Sequence, residues 1–259
     1  MRILQNTFIF TILLLVAVSA CNKDTGQAAN KTVVKNDSAV AWYGGYKMPE
    51  LLAEPMKNAG VDDLNSIMTR KWYAEFNVYS GHVSGKATVL TNCADYLALQ
   101  GPVINTVKKN ENAAFMELAV MCRATKQILS ATNPEHNYLM DIQFNKALPS
   151  QLPASVALVI SESERKKLNA DTSKKTWQDV YHITSVEEAG PNRAIYRHTG
   201  GIQELELVAR GDFNGDKIED LMISSRDSVE GGSYNAIRLF VVTRNTEGSE
   251  IRLISEIIR

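Results

Sequence analysis

Residues 202–228 read IQELELVARGDFNGDKIEDLMISSRDS, and how this stretch turns back on itself decides the fold. Leu205, Leu207 and Ala209 stand at alternate positions, as one side of a β-strand requires. Leu221, Met222 and Ile223 form a second, continuous apolar run. Between them, Asn214-Gly215 is a favoured hairpin pair because both residues tolerate positive φ. The stretch predicts two antiparallel strands joined by a tight acidic loop.

The same alternation of β-rich run and turn extends from about Tyr181 to Arg259. VYHITSVEEA, RAIYRHTG, AIRLFVVTR and EIRLISEII are separated by Gly-Pro, Asn-Gly, Gly-Gly and Glu-Gly pairs. Leu239 and Val241 repeat the alternate spacing, so an antiparallel meander with one apolar face is predicted. A one-sided sheet needs a cover. Residues 41–175 are predicted to supply it as a mainly helical region, and residues 176–259 as the β region, which makes the chain α+β.

Within the helical region, Pro49-Glu50 opens a short helix and Val61 to Met68 a second. Tyr73, Phe76, Val78, Val83 and Val89 predict one or two irregular strands between Lys71 and Leu90. Ala94 to Val107 and Asn112 to Ser130 read as helices. In the latter, Phe115, Leu118, Cys122, Thr125 and Leu129 share one face. Ser155 to Asn169 reads as a short strand or helix leading into a solvated helix. Trp42, Tyr43 and Tyr46 are expected to dock the first ordered residues onto the core.

The chain opens MRILQNTFIFTILLLVAVSAC. A positive residue, an apolar run too short to span a bilayer and a small-residue pair are the layout of a secretory signal. Val18-Ser19-Ala20-Cys21 resembles a bacterial lipobox, which implies cleavage after residue 20 and lipidation of Cys21. Several acyl chains hold a protein on its membrane without a spanning helix. Asn22, by analogy with Gram-negative sorting, points to the outer membrane on its periplasmic side. Residues 21–40 are polar and aperiodic, the composition of a flexible tether.

Removing residues 1–20 leaves 27 basic against 29 acidic side chains, a balance with no broad field for nucleic acid. With Cys21 lipidated, Cys93 and Cys122 remain as a pair in an oxidising compartment, and a disulfide is expected. In the chain-entropy view it contributes roughly 3 kcal/mol.

Asp212, Asn214, Asp216 and Asp220 fall at relative positions 1, 3, 5 and 9, with the Ile218 carbonyl at 7. Hard oxygens converging from one short loop suit Ca²⁺. An EF-hand needs a bidentate Glu at position 12, and Ile223 stands there. DFNGDKIEDL instead resembles the Asp-rich calcium loops of FG-GAP and VCBS-type repeats, which join two β-strands. The resemblance covers about ten residues, occurs once, and departs at Lys217, where the family carries Gly. It implies the ion loop and not the propeller, which needs several blades. A plain hairpin with solvated acids remains the alternative on the residues alone. Arg210-Gly211-Asp212 also spells an adhesion tripeptide, but Asp212 is better used in the loop.

No catalytic motif assembles. His82, His136, His182 and His198 lack metal spacing, and Ser163-Glu-Arg-Lys166 has the S-x-x-K pattern without its companion motifs. Two classes stay open: a non-catalytic envelope protein binding a macromolecular partner, as an accessory or immunity-type factor, or a hydrolase of peptidoglycan, glycan or lipid.

Overall fold

The computed structural model describes residues 40–42, 48–56, 60–81 and 86–258. The signal segment, the tether through residue 39 with Cys21, Tyr43, Tyr46 and His82 lie outside the described residues, as does the side chain of Trp42. In chain order the elements are β1 (Val40–Trp42), α1 (Leu64–Ile67), β2 (Phe76–Ser80), β3 (Thr88–Leu90), α2 (Cys93–Leu97) and β4 (Val103–Thr106). They continue with α3 (Asn112–Leu129), α4 (Glu162–Ala170), α5 (Trp177–Val180), β5 (Ile183–Gly190) and β6 (Arg193–His198). The chain closes with β7 (Gly201–Gly211), β8 (Asp220–Ser228), β9 (Asn235–Thr243) and β10 (Arg252–Ile258). Met48–Leu51, Val61–Asp63 and Ala154–Val156 are 3₁₀ turns.

The C-terminal strands form the antiparallel meander read from the sequence, in the order β10-β9-β8-β7-β6-β5. Each hairpin turn falls on a glycine-bearing signal. Gly201, at φ 143°, opens β7 where a Cβ would lie 2.3 Å from the Ser228 carbonyl oxygen, so no larger residue fits. β1 pairs with the far end of β7, through Val40 to Gly211 and Trp42 to Ala209, and makes a seventh strand. β3-β2-β4 form a separate small sheet. The fold is mixed α+β.

The expectation of one apolar face is corrected: the large sheet is buried on both. Val208, Ala209, Met222, Leu239 and Val241 face a core built with α1, α2, α3 and β2. Leu205, Leu207, Leu221, Ile223, Phe240 and Val242 face a second core closed by residues 139–157 and Trp177. A register shift between Leu207 and Ala209 breaks the alternation, so these two residues serve opposite cores. The continuous apolar runs of β8 and β9 are the sequence mark of two-sided burial.

α3 follows its predicted range, with Phe115, Leu118, Cys122 and Thr125 buried. Leu129, its last residue, is exposed, and Ile128 is buried instead. Phe115 meets Trp72, Phe76 and Tyr96 in edge-on and tilted ring contacts. Cys93 on α2 and Cys122 on α3 form the expected disulfide. Residues 94–107 are not one helix. α2 ends at Leu97, Gly101 takes φ 85°, and Pro102 with β-branched Val103, Ile104 and Thr106 turns the chain into β4. No helix among the described residues is long and apolar enough to cross a membrane.

Candidate ion loop and sheet groove

The loop between β7 and β8 is organised around Asp212. Its Oδ1 accepts the N–H groups of Asn214 (3.3 Å) and Gly215 (2.7 Å). Its Oδ2 accepts the N–H of Lys217 (3.0 Å) and the Thr132 hydroxyl (2.6 Å). Four donors match the acceptor capacity of a carboxylate. Burial pushes this carboxyl's pKa up, but the Thr132 hydroxyl and the three N–H groups more than reverse that and hold it below the ordinary value. Further along, Asn214 Oδ1 accepts from Asp216 N–H and Asp216 Oδ1 accepts from Ile218 N–H, each at 2.9 Å. Asp216 Oδ2 accepts from Asn214 Nδ2 at 3.0 Å.

Two residues make the sharp turns. Gly215 takes φ 83° and Lys217 takes φ 68°. Lys217 therefore adopts the left-handed conformation that glycine takes most readily. It is held there by its N–H to Asp212, by its carbonyl, which accepts from Glu135 N–H (2.7 Å) and His136 N–H (3.1 Å), and by Nζ on Glu135 (2.6 Å). The segment after α3 thus clasps the loop, with Thr132 bridged to Asp212 and His136 to Ile218.

Asp220 sits at the loop's foot with no exposed surface. Its Oδ2 accepts Phe213 N–H at 3.0 Å, while Oδ1 has no aligned hydrogen-bond donor among the described residues. Its pKa is raised to about 6 in all, with burial the largest cause. The facing Thr243 hydroxyl and the Phe213 N–H pull it down, and the negative charges of Asp216 and Asp212 push it further up.

Of the five sequence-predicted ligands, the structure buries Asp212 and Asp220 together at the loop's foot and leaves Asn214 and Asp216 on its exposed rim, with Ile218 half-buried. Among the described residues, no group of three or more His, Cys, Asp or Glu side chains is disposed to hold a metal. The donor chemistry is nonetheless uneven in a cation's favour at one atom. Asp220 Oδ1 gives up no hydrogen bond to take an ion. Asp212 gives up at least one, at about 1 kcal/mol. The adhesion tripeptide is not displayed: Asp212 is buried and Arg210 is tied to Glu219 (2.9 Å) and the Leu139 carbonyl (3.3 Å).

A second polar cluster was not legible in the sequence. Arg238, buried in the middle of β9, bonds Asp227 through Nε at 2.5 Å and the carbonyls of Ala157 and Val156 through NH1 and NH2. Gln203 bonds Asp227 and Val156 through Nε2 and accepts the Leu158 N–H. These side chains read the backbone of residues 156–158 and pin that strap across the sheet. The one signal was a lone Arg inside the apolar run AIRLFVVT. His198, stacked on Tyr181, accepts Gly200 N–H and is buried beside this cluster. Ser163 and Lys166 are exposed on α4.

On the other face of the sheet a groove of about 590 Å³ opens between the first turns of α3 and strands β6 to β9. Its floor is two adjacent rows of directly paired residues. One runs Ile195, Glu204, Arg226, Ile237, and the next runs Arg197, Ile202, Ser228, Asn235. The charges are paired: Arg226 donates to both oxygens of Glu117 on α3, Arg193 bonds Glu204 at 2.8 Å, and Arg197 bonds Glu230 at 3.1 Å. No family model, curated protein or solved structure matches the chain.

Proposed function

We propose that this is a lipid-anchored protein of the Gram-negative envelope, held by Cys21 on the outer membrane and facing the periplasm, that binds a macromolecular partner and performs no chemistry of its own. The observation that carries the reading is the state of the groove's carboxylates. Glu117 and Glu204 are each bonded to a guanidinium, so their oxygens are committed to partners within the protein. A general acid for glycoside or ester cleavage instead presents its carboxyl within hydrogen-bond reach of the substrate's leaving group. Apolar side chains between paired charges suit recognition. The buried disulfide between α2 and α3 accords with an oxidising compartment.

The Asp loop serves this reading as a structural calcium site, formed by Asp212, Asn214, Asp216, the Ile218 carbonyl and Asp220. An ion there neutralises the acids at the foot of the β7–β8 hairpin and tightens the clasp to residues 132–136. Crosslinking of the mature protein in intact envelopes, followed by identification of what is captured, tests the class. One protein recovered reproducibly through the same crosslinked positions is expected. Turnover of an envelope polymer by the purified protein would overturn the reading.

A further inference from the structure

The groove over β6–β9 shows which kind of segment the partner presents, an inference that rests on the partner-binding reading. Four of its floor residues form a checkerboard. Ile195 is directly opposite Glu204, and Arg197 is directly opposite Ile202, so the isoleucines occupy one diagonal and the opposite charges the other. Diagonal neighbours on an antiparallel pair stand about 7–8 Å apart. Residues i and i+2 of an extended chain lie on one face about 6.6–6.8 Å apart. An extended segment therefore spans the two charges with side chains two residues apart.

The charges are available for exchange. Arg197 and Glu230 are 48% and 67% exposed, and Arg193 is 44% exposed against Glu204 at 23%. Ion pairs with at least one partner so open to water contribute little, so trading Glu230 or Arg193 for a partner's side chain costs little. The Arg226–Glu117 pair, bidentate and tying the floor to α3, stays in place. Because the checkerboard carries one charge of each sign, a segment of single sign meets repulsion at one position.

We infer that the groove takes an extended segment of a protein partner bearing one acidic and one basic side chain two residues apart, beside an aliphatic residue that rests on Ile195 and Ile202. Four fluorescein-labelled nonapeptides test this by polarisation against the mature protein: each carries one Leu, with a mixed acidic–x–basic pair, two acids, two bases, or none. Wild type is expected to bind the mixed peptide at least tenfold tighter than the others. Arg197→Glu is expected to shift preference to the two-base peptide with its thermal midpoint unchanged, since Arg197 is exposed, and Glu204→Arg to the two-acid peptide with a lower midpoint, since Glu204 is half-buried beside Arg193 and Arg226. Equal binding of all four peptides, no binding of any, or an unchanged order in the variants would overturn the inference. Repeating the envelope crosslinking with both variants separates the two levels. Capture that survives both variants removes the groove and leaves partner binding standing, whereas a wild type that crosslinks to nothing removes partner binding itself.

Discussion

Replacing Asp220 by Asn isolates the electrostatic strain at the foot of the loop. The metal-free carboxyl has its pKa raised from 3.8 to about 6, chiefly by burial. The folded state then holds this proton more tightly than the unfolded state. The associated stability is fully present below the unfolded value and is lost as pH rises through about 6. By pH 7.5 the loss is complete and amounts to about 3 kcal/mol, from ~1.4 kcal/mol for each tenfold step. Asn keeps an oxygen for Phe213 N–H and offers an N–H to the Thr243 hydroxyl, which has no aligned partner. In EDTA at pH 7.5, Asp220→Asn is therefore expected to be up to about 3 kcal/mol more stable than wild type by urea unfolding, with the gap closing toward pH 4. In excess Ca²⁺ the gap narrows, because wild type gains a ligand-bound ion that the variant holds poorly. A variant no more stable than wild type in EDTA at either pH, or one with the same calcium response, would refute the reasoning.

Other substitutions probe the surrounding framework. Arg238→Ala leaves Asp227 buried without its cation and strips two carbonyls of the strap, and should cost about 3–5 kcal/mol in urea unfolding. Lys217→Gly relieves a left-handed conformation costing about 1–2 kcal/mol but gives up an exposed ion pair and rigidity of the unfolded chain. Its stability should stay within about 1 kcal/mol of wild type, while Lys217→Val, β-branched at φ 68°, should be clearly less stable. Cys93→Ala with Cys122→Ala removes a bridge spanning 29 residues and should cost about 3 kcal/mol, read as a lower urea midpoint.

The meander was legible because its turns carry local signals: Asn214-Gly215 falls between strands, while Gly190-Pro191 and Gly200-Gly201 mark where β5 ends and β7 begins. The tight turn was equally legible, since Asn214-Gly215 marks it by local geometry alone, but the placing of Asp212 and Asp220 at its foot and of Asn214 and Asp216 on its rim was not. What local pattern could not convey was which residues meet across the chain. Nothing near Asp212 foretells Thr132, eighty residues earlier, as its fourth donor. Arg238 meets Val156 and Ala157 only after the strap crosses the sheet. Two-sided burial is written in the unbroken apolar run Leu239 to Val242, whereas the Leu239/Val241 alternation taken by itself points to one apolar face. The shift at Val208 that sends Leu207 and Ala209 to different cores has no sequence mark.

The claim that acidic oxygens at the β7–β8 turn hold a dication is tested most directly by thermal melts of the mature protein in EDTA and in about 10 mM CaCl₂, with Asp216→Ala alongside. With a dissociation constant on the order of 10⁻⁴–10⁻³ M, the ion should stabilise wild type by about 1.4–2.7 kcal/mol, a rise of several degrees that the variant lacks. Superimposable wild-type melts in the two solutions would contradict it.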